Sequence, residues 1–468
     1  MPTTRLSALD CAFLDVETPT AHMHVGWAAV FEPPAAGPRP SFDELREHIA
    51  ARLPRAPRYR QMLRSVPLGL NAPVWVDDAN FTVERHVVRA TSRWLTEVVD
   101  ECMSTPLPRD RPLWQICIAE HLDDGRIGVV GKAHHCMVDG IAAVELSSLL
   151  LDPEPAPPPP PPDEWAPEPA PSDPELLAGG LVDLARTQLD LATLPARIAG
   201  TPERAAAAAD RARRAAAALL DAARPASPSR QLNPPISPRR HLGLLARPLD
   251  DLLQIKRTFD VKLNDVLLGV AAAGVREFLR EQGEDPVRLK TMVPVNVRDS
   301  GQEGELGNQI SFMFVDLPCD EPDPIRRLSD IHLATSERKR MGGPEGANDV
   351  VRSIGLVPSP VQRFVSRLLA SPQAFNLVVS NIPGPREELY MRGCPIVEAY
   401  PVVPLADRHA LSIGVTTIRD GAFFGLYADR DSLPEVDVLA AHVEGAIEEL
   451  VELSRDRFAE PVVAAEGG

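Results

Sequence analysis

Residues 152–175 read DPEPAPPPPPPDEWAPEPAPSDPE, and no regular buried element can be built from them. Proline lacks the amide donor and its ring fills the space of the preceding turn, so neither a helix interior nor a central strand tolerates such a run. Polyproline II is the conformation left, which makes the segment a semi-rigid, acidic spacer. A linker between folded parts is one reading of it, and a docking motif for a partner is the other. Either way, a chain of 468 residues must fold on both sides of it, and that length already exceeds one ordinary core.

Both sides carry a mixed α/β pattern. Before the spacer, 24–31, 114–120 and 126–132 read as strands. Ser41-Phe42-Asp43-Glu44 is a capping box ahead of the helical ELREHIAARL, and 141–151 also reads as a helix. After the spacer, 176–223 is alanine-rich and helical, with Arg204, Arg211, Arg213 and Arg214 in its later part. It is either a solvated connector or a basic surface that meets anionic lipid. From Asn233 onward, helices are predicted at 248–258, 263–282 and 436–453, and strands at 288–297, 309–317, 375–380, 410–418 and 422–428. The expected architecture is α/β, with an N-terminal domain at 1–151, a linker and helical connector at 152–232, and a second domain at 233–462.

The formal net charge of −17 repels phosphate backbones and argues against nucleic acid as a general partner. Six cysteines are scattered without a CxxC pair, a pattern of reduced thiols in a cytosol with no zinc-site spacing. Residues 1–15 hold no apolar stretch of a signal peptide, and nowhere do about 18 uncharged apolar residues run together. A cytoplasmic protein is expected, with contact to a membrane surface left open.

The chemistry concentrates in His134-His135-Cys136-Met137-Val138-Asp139-Gly140. It falls where a predicted strand ends and a helix begins, and neighbouring side chains at a strand end diverge, so only one histidine can face a given cavity. Imidazole titrates near neutrality and can take a proton from a hydroxyl. Asp139 can orient that imidazole or lock the loop through a cation, and Gly140 permits a sharp turn into the helix. Three other readings stand beside this one: a metal site completed by His22 or His24, a nucleophilic Cys136, and a purely structural histidine pair.

The segment resembles HHxxxDG, the signature of chloramphenicol acetyltransferase-like acyltransferases and peptide-synthetase condensation domains. An ordered set of further motifs is similar to the bacterial wax ester synthase/diacylglycerol acyltransferase family over nearly the whole chain. These are Leu6-Ser7-Ala8-Leu9-Asp10, Phe13-Leu14, Met23-His24-Val25-Gly26, Pro112-Leu113-Trp114, Asn264-Asp265-Val266, Val293-Pro294-Val295-Asn296-Val297-Arg298, Gly307-Asn308-Gln309 and Ser380-Asn381-Ile382-Pro383-Gly384-Pro385.

The resemblance implies two chloramphenicol acetyltransferase-like domains, mixed sheets flanked by helices, with the active site between them. It implies acyl-CoA as co-substrate, no resident cofactor or metal, and diacylglycerol or a long-chain alcohol as acceptor, collected from a membrane or lipid-droplet surface. His135 would be the general base and His134 a local packing or hydrogen-bonding group. Asp139 would pair with Arg298 to hold the loop, beside Gly140. Asn264 is either an oxyanion donor or part of a helix cap. Trp114 either shapes a substrate channel or packs in a strand core, and Ser380 and Asn381 are expected at the tunnel mouth. A condensation-type acyltransferase using a carrier protein or a hydrophilic acceptor, and a catalytically silent lipid-binding relative, are the competing outcomes.

Overall fold

The computed structural model describes residues 4–137, 150–199, 202–296, 310–340, 346–347, 349–350 and 359–459. In the first part of the chain the elements are β1 (Thr4–Arg5), α1 (Ala8–Val16), β2 (His24–Phe31), α2 (Phe42–Ala50), β3 (Gln61–Arg64), β4 (Val74–Asp77), β5 (Val87–Arg89), α3 (Leu95–Ser104), β6 (Trp114–Ala119) and β7 (Ile127–His134). Ser7 and Ser41 cap α1 and α2, each accepting the amide three residues on while Asp10 and Glu44 reach back to the cap amide.

The acidic spacer is not a free tether. Asp152 is buried against Arg52, whose Nε donates to it at 3.1 Å. Further along, Asp163 pairs with Arg60, Trp165 lies 4.9 Å under the same guanidinium, and Asp173 meets Arg64 at 2.9 Å. A row of arginines thus straps the polyproline segment onto the first half. The helical connector follows as α4 (Asp173–Ala199) and α5 (Pro202–Ala223). Helix α4 begins inside the proline-rich stretch because Pro174 sits in its first turn, where a missing amide costs nothing, and Ser172 donates both its amide and its hydroxyl to the Glu175 carboxylate.

The second part contributes β8 (Arg240–Pro248), α6 (Leu249–Thr258), α7 (Leu263–Glu281), β9 (Arg288–Asn296), β10 (Ile310–Pro318), α8 (Pro324–Arg340), α9 (Ser359–Leu369), β11 (Leu377–Ile382), β12 (Tyr390–Met391), β13 (Cys394–Val402), β14 (Leu411–Ile418), β15 (Gly421–Asp429) and α10 (Val436–Ala459). One six-stranded sheet runs β10-β9-β11-β14-β15-β8. It is mixed, since β11 lies parallel to both β9 and β14 while the other pairs are antiparallel. The other six-stranded sheet runs β12-β13-β2-β7-β6-β5, and β1-β4-β3 form a small third sheet.

The sheets cross the division expected at 151 and 233. Strands β12 and β13, from the second part, complete the first sheet: β13 pairs with β2 from Ile396↔Phe31 to Val402↔Gly26, and Asp152 bridges Tyr390. Where β13 crosses β14 and β15, a methyl group on Gly425 would run into the Pro401 carbonyl, so glycine is needed for that close approach. The two halves therefore share one continuous hydrophobic core.

Candidate active site

Strand β7 is buried along its full length, between β2 and β6. It ends at His134, which sits opposite His24 of β2. The next residue, His135, turns off the strand with its amide donating to the Met23 carbonyl at 2.9 Å. Met23 holds a left-handed φ of 49°, a conformation that costs a non-glycine residue energy and recurs at functional sites. Divergence at the strand end then separates the two imidazoles.

His135 faces a cavity of about 220 Å³ between the halves. The Phe13 ring stacks on its imidazole, centroids 3.7 Å apart and 10° from parallel. Around it stand Ala8, Leu9, Ala12 and Val16 of α1 and Met23 and Val25 beside or on β2. The opposite wall comes from the second half: Met292 and Pro294 of β9, Phe312 of β10, and Val378, Ser380 and Ile382 of β11, with Ser366 and Leu369 of α9 closing it. The lining is almost wholly apolar, with His135 and Ser380 among its few polar side chains.

His134 is buried on the other side. Its Nδ1 accepts the Cys136 amide at 3.1 Å, and its Nε2 lies 3.7 Å from Glu17, which pairs with Arg109. Burial, then the Arg109 charge, pushes its pKa well below the usual imidazole range. It is neutral at physiological pH, with the proton on Nε2. Cys136 is buried too, and that burial holds its thiol well above the ordinary range, so no thiolate forms there near neutrality.

Other expected site residues are distributed unevenly. Ser380 faces the cavity with Val378 and Ile382; Asn381, between them on β11, points to the opposite face by strand alternation. Trp114 is buried away from the cavity, its Nε1 donating to the Tyr59 carbonyl at 2.8 Å and its ring stacked on His86. Asn264 is at the second position of α7, away from the cavity lining. The cap there is Lys262, whose amide Asp265 accepts, while Asp265 also bonds His332 and Thr335. Asp139, Gly140 and Arg298, and with them the expected Asp139–Arg298 pair and most of the 141–151 helix, lie outside the described residues. His22 and His24 do come together, 5.2 Å apart, yet among the described residues no three His, Cys, Asp or Glu side chains form a group able to hold a metal.

The structure adds Phe13, Met23 and Pro294 to the site. All three stand in the motifs that carry the family resemblance, so the signal was present. The apolar lining from α9 had no such mark.

The architecture is that of the chloramphenicol acetyltransferase-like acyltransferases and condensation domains. A starter condensation domain of rhizomide synthetase shares it with a TM-score of 0.57 at 15% identity, covering 97% of this chain and 95% of its own. Residues 6–267 match the wax ester synthase/diacylglycerol acyltransferase catalytic domain, and 306–451 match the WS/DGAT C-terminal domain. The chain is 31% identical to a probable diacylglycerol O-acyltransferase, tgs1, of Mycobacterium tuberculosis, over 97% of this chain and 96% of that one. It superposes on the wax ester synthase/diacylglycerol acyltransferase of Marinobacter aquaeolei with a TM-score of 0.68 at 25% identity, covering 97% and 100%. The chain belongs to the wax ester synthase/diacylglycerol acyltransferase family and is an acyltransferase.

Proposed function

We propose that this enzyme transfers the acyl group of an acyl-CoA to the hydroxyl of a diacylglycerol or a long-chain alcohol, with His135 as general base. The observation that carries the reading is a single imidazole set into the wall of an apolar cavity between the two halves. The acceptor oxygen attacks the thioester carbonyl as His135 takes its proton; the C–S bond breaks, the thiolate leaves, and the proton passes to it as CoA-SH. Thiolate is a good leaving group, and the buried, protonated Cys136 is no nucleophile, so transfer is direct and no acyl-enzyme forms. His134, neutral and bonded to its own loop, holds the turn that aims His135. The loop-locking role that the family motif implies for Asp139 and Arg298 is tested by a double-mutant cycle of Asp139→Asn and Arg298→Ala, in which independent effects would remove it.

The acceptors are water-insoluble, and among the described residues no helix is long and apolar enough to cross a membrane. The enzyme accordingly works as a peripheral visitor to a membrane or lipid-droplet surface. Labelled palmitoyl-CoA offered separately with dioleoylglycerol, hexadecanol and short alcohols tests the reaction. Ester formed with the lipid acceptors and lost in His135→Ala supports it; acyl transfer that survives the substitution overturns the role of His135.

A further inference from the structure

Helix α9 has two faces of opposite duty. Ser366 and Leu369, with Ala370 just past its end, line the His135 cavity. On the far side Val361, Phe364 and Leu368 follow one another at helical spacing and are 46%, 69% and 52% exposed. A largely exposed phenylalanine between two half-exposed aliphatic residues gains nothing from water, and contiguous apolar surface of this kind marks a contact site. The helix is secured chiefly to α1: Arg363 Nε lies 3.1 Å from the Asp15 carboxylate and Arg367 Nε donates to the Asp15 carbonyl at 3.0 Å.

The surroundings say what the surface meets. Beside Phe364 and Leu368 runs a broad groove whose rim carries Arg230, Arg367 and Arg408. None of the three has a carboxylate within salt-bridge distance among the described residues, while the one acid there, Glu284, is turned to the amides of Arg230 and Gln231. Apolar side chains ringed by unneutralised guanidinium groups complement a phospholipid surface: acyl chains below, phosphates at the rim. The arginines of α5 fit this less well, because Arg213 and Arg214 both pair with Asp210 and Arg214 also faces Asp349.

We infer that the outer face of α9 is the surface with which the enzyme sits on phospholipid, so that one helix has lipid on one side and the catalytic cavity on the other. This rests on the acyl-transfer reading above for its purpose, though not for its test. The lipid acceptor then needs to travel only past α9 to reach His135, and never enters bulk water.

Flotation with vesicles of phosphatidylcholine and phosphatidylglycerol carrying dioleoylglycerol tests the surface directly. Phe364→Asp with Leu368→Asp should lower the vesicle-bound fraction at least tenfold, since each loses an apolar side chain from the bilayer. Esterification of dioleoylglycerol in those vesicles should fall in parallel, while palmitoyl transfer to water-soluble hexanol stays at the wild-type rate. Arg230→Glu with Arg408→Glu should weaken binding to the anionic vesicles at low salt and leave it unchanged at high salt, where screening has removed the attraction. Wild-type protein that does not float, or an α9 variant that floats equally well, overturns the inference. Wild-type protein that floats but esterifies neither acceptor overturns the acyl-transfer reading and leaves the surface standing.

Discussion

The two walls of the cavity are built differently. His135 follows directly on β7, which is buried residue by residue and flanked on both edges by β2 and β6. The helices α1 and α9 also line the cavity, and they are held loosely: no residue of α1 is fully buried and α9 turns three large apolar side chains to solvent. Catalytic geometry tolerates little displacement and is set where packing leaves no freedom. Passage of a lipid needs an element that can shift, and such elements come from the weakly packed end of a structure. If the sheet carries the chemistry and the helices the access, substitutions in the two should fail in different ways.

The largest effect is expected at His135. Replacement by alanine should lower turnover by about 10²–10⁴ with palmitoyl-CoA and a lipid alcohol, while the melting temperature changes little. His134→Ala should reduce turnover far less and cost stability instead, since it strands the Cys136 amide that His134 accepts. Kinetics beside thermal melts separate the two, and a reversed order would show that the sheet presents the other imidazole to the substrates.

Next comes the edge of the rigid wall. Arg52 is 5% and Asp152 2% exposed, and Asp152 also joins its backbone to Tyr390 of β12. Arg52→Ala leaves a buried carboxylate uncompensated, a change that costs about 3–5 kcal/mol. The lower end applies, because the Arg55 guanidinium at 3.6 Å remains beside it. Urea denaturation reads the loss, and Arg52→Met with Asp152→Leu should recover most of it. If Arg52→Ala were neutral, the strap would be an ornament and not a fastening.

The helical wall should respond in rate and not in stability. Phe13→Ala removes the ring stacked on His135 and widens the cavity, with kcat/KM for a lipid alcohol lower by about tenfold, an amount that about 1.4 kcal/mol of lost positioning explains. Its melting temperature should hold, because Phe13 is only partly buried. An equal fall in stability and rate would place α1 with the rigid wall and remove the contrast.

The same division governs how much of the molecule was legible beforehand. Strands such as 114–120, 410–418 and 422–428 and the helix at 263–282 announced themselves through local periodicity, and the structure has β6, β14, β15 and α7 there. The histidine motif located the cavity-facing turn for a related reason: strand alternation is local. What stayed hidden depends on contacts distant in sequence. Nothing in 394–402 says that it will pair with 24–31 rather than with its own half. The acids of the proline segment read as solvated charge until Arg52, Arg60 and Arg64 were seen lined up beneath them. Trp114 illustrates the converse: it stands in a family motif, yet its indole is satisfied by the Tyr59 carbonyl inside the core. The role of α9 required knowing which of its faces the cavity uses.

The smallest effect concerns how the halves are held, and it is read through pH. His241 of β8 lies between Asp100 of α3, 2.7 Å from its Nδ1, and Asp437 of α10, 3.1 Å from its Nε2; Arg430 shares the Asp100 carboxylate at 3.1 Å. Hydrogen bonding to Asp100 first, and then to Asp437, outweighs burial and raises the imidazole to about 9. An unfolded histidine titrates near about 6.5. Below that pH both states are protonated and the clamp contributes in full; between about 6.5 and 9 only the folded state keeps the proton, and the contribution drains away as pH rises through the folded value. His48 and His409 carry the opposite sign. Burial lowers both to about 4, so on acidification the unfolded chain takes protons that the folded one refuses, and stability falls as pH drops below about 6.5. A melting temperature that peaks near neutrality and declines on both sides is the expected profile. His241→Gln should lower it by a few degrees at pH 6 and hardly at all at pH 10, flattening the alkaline limb and leaving the acid limb in place. Parallel wild-type and variant profiles would mean that the Asp100–His241–Asp437 clamp does not couple the first half to the second.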